Sequence, residues 1–480
     1  MKPLASVILP VLNEEKNLGE CLSAVFSQET DFRFEVIVVD SGSTDRSREI
    51  AREFAKSHPL ILLELSREEF GHGRTRQLAS LQAEGEYLVY LVADAVPADK
   101  HWLSRLLDSA RKDERVAGVY SRQIHRQDAD LISRIRLKKR KVSSLACSEN
   151  ELKNPFDYWM MSPLERILFC DFDDVSSLRK RSVLEKIPIR DCVWAEDLVW
   201  SKECLLNGYK IVYEPSSVVY HSHRSRAFYF FQRGWLDQKS AEEFFGQHYY
   251  PSAGDALRGF LFSARELIRE ILTEDAKWTE KCSALFKAPV VCSLEVAGRY
   301  FAGLKLEKEA SFNLWERFSR AKILPESGRV RAAKTSFTIG DKWQRVILAH
   351  PFVIINYMVN LPESSELKLG IGIKPEAFNN RSEPIDFMVA VNGEPILRER
   401  LEMAPENLKG WKEFVLDLSL WSGRSVKISL VTASEDLRYA WAGWAEPRII
   451  FKSAKDFFNW RNFVIRSIET LMGMRGFRHP

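Results

Sequence analysis

Glu86-Tyr87-Leu88-Val89-Tyr90-Leu91-Val92-Ala93-Asp94-Ala95-Val96-Pro97 is the stretch that decides the fold. From Tyr87 to Val92 six apolar or aromatic residues follow one another without alternation, the pattern of a strand buried on both faces inside a parallel sheet. The run stops at Asp94, with Pro97 close behind, so a carboxylate stands at the carboxyl end of a strand. That edge of an open α/β sheet is where ligands bind, and a carboxylate there is placed to hold a divalent cation that in turn holds phosphate. The plainer reading is a solvated Asp in a turn.

Upstream, strands alternate with helices. Ala5 to Leu9 reads as a strand, and Asn17 to Phe26 as a helix, with Leu18, Cys21, Leu22, Val25 and Phe26 at helical spacing. A second strand from Phe34 ends at Asp40 and passes through Ser41-Gly42-Ser43-Thr44-Asp45 into a helix over 46–56. A third, 60–65, precedes Phe70-Gly71-His72-Gly73-Arg74-Thr75-Arg76-Gln77 and a helix over 78–83. Alternation of this kind predicts a doubly wound parallel sheet. Downstream, 101–112 is an amphipathic helix, and Arg134 to Lys141 forms a basic cluster. That cluster reads as a solvated helix face or as a flap over a phosphate or an anionic lipid surface. Phe169-Cys170-Asp171-Phe172-Asp173-Asp174 follows, then Glu196-Asp197 at the start of a helix that ends at Asn207-Gly208, then His221-Ser222-His223.

Beyond residue 228 the pattern is helical to about 328, and then strands dominate. Leu367, Leu369, Ile371 and Ile373 alternate with polar or glycine positions, as do Phe387, Val389 and Val391 before Asn392-Gly393. A β-sandwich of jelly-roll-like kind is expected there. Trp411, Trp421, Trp441 and Trp444 are dense in it, with core packing the default role and sugar stacking the alternative. The last residues mix aromatic with basic side chains, so a helix over 453–480 is expected either to pack on its own protein or to lie on a membrane surface. The expected organisation is therefore 1–228 an α/β domain, 229–328 a helical linker region, 329–452 the β-sandwich, and 453–480 a basic amphipathic helix.

With 480 residues the chain is long enough for several domains. Seventy Lys and Arg against 66 Asp and Glu leave a net charge of only +4, which gives no argument for nucleic acid. No 18 apolar residues follow one another and the first residues lack a signal-peptide pattern, so a cytoplasmic chain, peripheral at most to the inner face of a membrane, is expected. Seven cysteines without a Cys-x-x-Cys pair read as reduced and scattered.

These motifs together resemble a GT-A glycosyltransferase of family 2, a Rossmann-like nucleotide-diphospho-sugar transferase fold, over the first 230 or so residues. More narrowly the chain is similar to the bacterial rhamnosyltransferase branch, whose pattern reads Phe-Gly-His-Gly-Gly-Thr-Arg-Asn and then Thr-Gln-Asp-Ala-x-Pro. Here these are Phe70 to Gln77 and Val92 to Pro97. Pro10, Glu14, the Asp40 to Asp45 run, Glu196-Asp197 and His221-Ser222-His223 complete the match. Val92 stands where general members carry the first Asp of Asp-x-Asp.

The resemblance implies an inverting transfer of a sugar from a nucleotide diphosphate, dTDP-rhamnose favoured, to a saccharide or lipid-linked acceptor in polysaccharide synthesis. It implies donor contacts at Pro10, Glu14, Asp40, Ser41, Arg76, Ala93 and Asp94, and Mg²⁺ or Mn²⁺ at Asp94 with His221 and His223. It also implies Asp197 as the general base, with Glu196 orienting the acceptor. The chemistry agrees with those residue types: a carboxylate accepts hydrogen bonds from a base or ribose, cations stabilise a departing diphosphate, and a carboxylate can take the proton of an attacking hydroxyl. A sugar-phosphate nucleotidyltransferase would need a glycine-rich loop where Pro10-Val11-Leu12-Asn13 stands. A noncatalytic sugar-binding protein on a degenerate scaffold is the other reading.

Overall fold

In the computed structural model, which describes residues 2–222, 227–304, 311–325, 332–362, 364–436 and 438–451, Tyr87–Leu91 is a strand buried at every position. The described residues divide into two units. The first holds Met1–Pro155, Ile167–Asp237 and Ser252–Arg299, and the second Phe156–Arg166, Gln238–Pro251 and the chain from Tyr300 onward.

The first unit opens β1 (Ala5–Val11), α1 (Leu18–Phe26), β2 (Phe34–Asp40), α2 (Ser47–Ala55), β3 (Leu60–Glu64), α3 (His72–Gln82) and β4 (Tyr87–Leu91). It continues β5 (Val96–Pro97), α4 (Trp102–Arg111), β6 (Val116–Ile124), α5 (Leu131–Lys138) and β7 (Ser148–Asn150). Two short helices, α6 (Pro155–Met160) and α7 (Pro163–Phe169), most of whose residues belong to the second unit, lead to β8 (Ser176–Lys180), α8 (Arg181–Leu184), α9 (Glu196–Leu206) and β9 (Lys210–Tyr220) of the first. Three longer helices follow: α10 (Ala227–Phe245), α11 (Ala253–Thr273) and α12 (Trp278–Ala302).

The strands form one sheet in the order β3-β2-β1-β4-β8-β6-β9-β5, with β7 on β9. The first four strands pair in parallel, and the apolar sides of α1 and α4 pack on them in a shared core. Leu18, Cys21, Leu22 and Val25, one face of α1, are all buried, as the spacing requires. The sheet is nonetheless mixed, because β8 runs antiparallel between β4 and β6. Its sequence, Ser-Ser-Leu-Arg-Lys, has none of the apolar character of an interior strand, yet its first four residues are buried.

Two other local differences bear on the site. Helix α3 starts at His72 and not at 78, so the Gly-His-Gly motif is the first turn of a helix. Gly73 is required there by close approach: a Cβ would stand 2.0 Å from the Arg190 carbonyl oxygen. The basic cluster is neither a bare solvated face nor a free flap. Arg134 pairs with Glu280, Arg136 with Glu295, Lys138 with Glu274 and Lys139 with Glu270, so α5 is docked by charge onto α11 and α12.

The second unit carries two antiparallel sheets. One has the order β12-β13-β20-β15-β18 with β10 on β20, and the other β11-β14-β19-β16-β17. Their strands are β10 (Ser311–Asn313), β11 (Lys322–Leu324), β12 (Ala332–Ile339), β13 (Lys342–Ala349), β14 (Val353–Asn360) and β15 (Ser365–Ile373). The rest are β16 (Ile385–Val391), β17 (Glu394–Leu401), β18 (Lys412–Asp417), β19 (Ser425–Ala433) and β20 (Ala442–Phe451). Alternate residues of both sheets, among them Leu367, Ile371, Ile355 and Phe387, fill one core, as in a sandwich. Trp444 is fully buried in that core, and Trp411, Trp421 and Trp441 are half-buried. Of the segment 229–328, α11 and most of α12 belong to the first unit, and α10 divides between the two at Asp237. The expected helix over 453–480 lies outside the described residues. None of the seven cysteines forms a disulfide among the described residues.

Candidate active site

The parallel register of β1 and β2 sets Pro10 beside Val39 and Val11 beside Asp40, so Asp40 ends its strand next to the first loop. The two loops are laced together. Asn13 and Glu14 donate their backbone N–H to the hydroxyls of Ser43 (2.9 Å) and Ser47 (2.8 Å), and Glu15 donates to Asp45 Oδ2 (3.0 Å). Asn13, at φ 56°, returns its Oδ1 to the Thr44 N–H. Glu14 takes the Asn17 side-chain amide at 2.8 Å. Most of the Ser-Gly-Ser-Thr-Asp motif is thus engaged in building the loop.

Asp40 and Ser41 keep something in hand. The Asp40 carboxylate is buried, and its Oδ1 receives the N–H groups of Gly42 (3.1 Å) and Ser43 (2.9 Å). Its Oδ2 has no hydrogen-bond partner among the described residues, nor does the Ser41 hydroxyl. A buried acceptor without a donor is costly and calls for a ligand N–H or O–H. Pro10 is half-buried within β1, and the Ala93 methyl is in the core, which leaves only its backbone to a ligand.

Past β4, the short β5 pairs Val96 with Tyr220 and Pro97 with Val219, and this brings the end of β9 beside Asp94. His221 Nε2 lies 3.7 Å from Asp94 Oδ2, and its Nδ1 lies 3.1 Å from Gln123 Oε1. An amide oxygen on Nδ1 holds the ring with its proton there and turns Nε2 toward the carboxylate, the orientation that metal-binding imidazoles adopt. The carboxylate suits Mn²⁺ or Mg²⁺, whereas the imidazole, a softer donor, is accepted more readily by Mn²⁺, so this pair fits a cation that would take its other ligands from a diphosphate. No group of three such ligands occurs among the described residues. His223 lies outside them.

The acidic pair sits in a charged network that the sequence did not foretell. Ala195, left-handed at φ 66° and ψ 30°, turns the chain into α9 at Glu196. Glu196 is buried, and its Oε1 pairs with Arg76 Nη1 at 2.9 Å. Arg76 Nε lies 3.2 Å from Asp174 Oδ2, and Nη1 also donates to the His72 carbonyl at 3.1 Å. Arg76 was expected to face the donor diphosphate; the structure turns its guanidinium to carboxylates, because two buried acids need a counter-charge.

Arg179 on β8 grips Asp174 with both nitrogens, at 2.9 Å and 3.0 Å, and lies under the rings of Trp200, Tyr90 and Phe172. Asp173 takes Arg140 at 2.6 Å, and the Asp174 N–H reaches Asp197 Oδ2 at 3.3 Å. The loop ahead of α9 is clamped by α3, where Gln77 Oε1 receives the Ile189 N–H at 3.1 Å and Gly73 lets the Arg190 carbonyl approach. Arg179 and Gln123 were not singled out from the sequence; Arg140 was read only as part of the basic cluster, and Asp173 and Asp174 only as the next candidates for the base after Asp197. Only the acidic run Asp171 to Asp174 carried a signal.

The electrostatics separate these carboxyls. Burial would raise Asp174, but Arg179 and Arg76 bring it below the usual range, and burial of Asp173 is likewise outweighed by Arg140. Burial pushes Glu196 up, partly offset by Arg76. Asp197, half-buried, has no ion pair among the described residues. Burial, then the charges of Glu196, Asp174 and Asp173, hold it well above the ordinary carboxylate range. From the sequence, a helix-start Asp should stay ionised; here burial and then three neighbouring acids outweigh the helix dipole. A carboxyl displaced in this direction is a stronger base once deprotonated.

A sheet of this order, with carboxylates on the loops at its carboxyl edge, defines a GT-A type of sugar-transferase fold. Residues 6–187 match the family model described as Glycosyl transferase family 2, and the chain is a glycosyltransferase carrying that family's domain. It is 29% identical over 235 residues to the O-antigen chain rhamnosyltransferase WbaN of Salmonella anatum, covering 48% of this chain and 70% of that one. It is 25% identical to the O-antigen chain rhamnosyltransferase RfbN of Salmonella typhimurium, covering 45% and 66%. Over 104 residues, 22% of this chain and 34% of the relative, it is 38% identical to the glycosyltransferase AglE of Haloferax volcanii. Among solved structures it is similar to a mannosyltransferase of Pyrobaculum calidifontis, at 20% identity and TM-score 0.40, covering 61% and 86%. No helix among the described residues is long and apolar enough to cross a membrane.

Proposed function

We propose that the chain is an inverting glycosyltransferase that moves a deoxyhexose, with dTDP-rhamnose the favoured donor, onto a hydroxyl of a saccharide or lipid-linked acceptor in cell-surface polysaccharide synthesis. The observation that carries the catalytic part is the raised carboxyl of Asp197, without an ion pair among the described residues, beside Arg-paired Glu196. The donor class is supported by the similarity to two relatives described as rhamnosyltransferases and by the Gly71-His72-Gly73 and Asp94-Ala95-Val96-Pro97 motifs.

In this reading the base of the nucleotide donates to Asp40 Oδ2, which meets the need of that buried oxygen, and Ser41 Oγ bonds the same moiety. Asp94 and His221 would hold a Mg²⁺ or Mn²⁺ against the diphosphate, and such a cation supplies positive charge where the leaving group gains negative charge. The acceptor hydroxyl oxygen attacks the anomeric carbon as the bond to the diphosphate breaks, and the hydroxyl proton passes to the Asp197 carboxylate. The nucleoside diphosphate leaves with the bonding electrons. Glu196 orients the acceptor, and Arg76 positions Glu196.

A donor panel tests this: dTDP-rhamnose, UDP-glucose, UDP-N-acetylglucosamine and GDP-mannose, each with Mg²⁺, with Mn²⁺ and with chelator, scored by nucleoside diphosphate release and thermal shift. Greater stabilisation and turnover with dTDP-rhamnose is expected. Preference for another donor refutes the deoxyhexose assignment, and no release with any donor refutes the catalytic one.

A further inference from the structure

Glycosyl transfer leaves without a role the outward side of α11 and α12. These helices share one core with α5, where Ile132 and Ile135 meet Leu267 and Ile271 of α11 and Ala288 of α12. Four of their acids are turned the same way: Glu270, Glu274, Glu280 and Glu295 pair with the basic residues of the α5 segment. The opposite faces are left apolar and basic. On α11, Leu257, Leu261 and Phe262 are 59%, 57% and 68% exposed, and on α12 Trp278 and Phe286 are 65% and 85% exposed.

Arg258, Arg265 and Arg269 stand among the α11 residues at helical spacing and are exposed. Asp255 and Glu266 on the flank make i,i+3 pairs with Arg258 and Arg269, contacts of little strength in water. Large exposed apolar side chains recurring along both helices signal a contact surface. Leu, Phe and Trp rimmed by Arg fit the boundary between acyl chains and headgroups.

We infer that the outward faces of α11 and α12 seat the protein on an anionic lipid bilayer, lying in its surface. Charge decides between occupants. The segment 452–480 holds six Lys and Arg against two Asp and Glu, so it has the same sign as the Arg stripe and is repelled by it. A second copy would set the same Arg residues near one another. Anionic headgroups reverse the sign, and each Lys or Arg near such a surface strengthens binding by about fivefold. The inference does not depend on the donor or on the identity of the catalytic base.

The test uses the full chain and cosedimentation with vesicles of phosphatidylcholine, alone or with about one-third phosphatidylglycerol. Binding to the mixed vesicles, weakened by salt, and little to the neutral ones is expected. The triple variant Arg258→Gln, Arg265→Gln, Arg269→Gln should bind about a hundredfold more weakly. Phe262→Ser with Phe286→Ser should lose about tenfold or more, with nucleoside diphosphate release in solution unchanged. Equal binding to both vesicle types overturns the inference, as does native binding by the Arg variant, which would assign the contact to another part of the chain. A self-associated protein that the substitutions turn monomeric, without any vesicle binding, overturns it too. If the Phe pair precipitates, the Arg variant decides alone.

Discussion

Asp197→Asn should remove activity and stabilise the fold at the same time. The carboxyl is held well above its ordinary range, first by burial and then by Glu196, Asp174 and Asp173. Below about pH 4 folded and unfolded chains both keep the proton, and the group contributes nothing. As pH rises from there toward the folded value, the folded chain holds a proton that the unfolded chain has released, so stability falls; above the folded value the whole cost is present.

Each unit of displacement costs about 1.4 kcal/mol, which the amide abolishes. Against this, Asn has one acceptor oxygen where Asp offers two, so either the Leu198 N–H (2.8 Å) or the Asp174 N–H (3.3 Å) loses its partner. That loss is about 0.5–1.5 kcal/mol. A displacement beyond about one unit therefore makes the variant more stable at neutral pH. Thermal denaturation at pH 4 and pH 7.5 reads this directly, with a slightly lower midpoint for the variant at the lower pH, where only the lost hydrogen bond counts, and a higher one at the upper. Transfer should fall by about two to four orders of magnitude, with donor affinity nearly unchanged. The wild-type acid limb of kcat/KM should lie above the usual carboxylate range. A variant less stable at pH 7.5 refutes the electrostatic argument, and one with near-native transfer moves the base elsewhere, Asp173 or Asp174 being next.

Arg179→Met should cost about 3–5 kcal/mol in urea unfolding, because it leaves buried Asp174 only Arg76, which Glu196 already shares; a loss below about 1 kcal/mol would show that Asp174 can shed its charge. Gly73→Ala should destabilise by about 1–3 kcal/mol and lower turnover, since a methyl there would press on the Arg190 carbonyl and shift the loop ahead of Glu196; unchanged turnover would mean that α3 does not set the acidic pair. Asp94→Ala should weaken donor binding in calorimetry and abolish its response to chelator; a retained response would place the cation elsewhere.

The nature of the central strand and of its neighbours was legible from residue order alone. Tyr87 to Val92 has no polar position to face water, and the faces of α1 and α4 repeat at the helical period, so local pattern is enough to assign them. Positions at the carboxyl ends of strands, Asp40 and Asp94, could be named for the same reason. Partnership could not. Ser176 to Lys180 reads as a surface segment, yet Arg179 is buried at the sheet centre because Asp174 and three aromatic rings, one of them on α9, receive its charge. Arg76 looked like a diphosphate ligand until Glu196, 120 residues on, lay beside it. The basic run from Arg134 took its meaning from glutamates more than 130 residues away. Above all, the ionisation of Asp197 depends on three carboxylates and on burial that folding alone assembles, and Coulomb interactions depend on distance in space, which spacing along the chain does not encode.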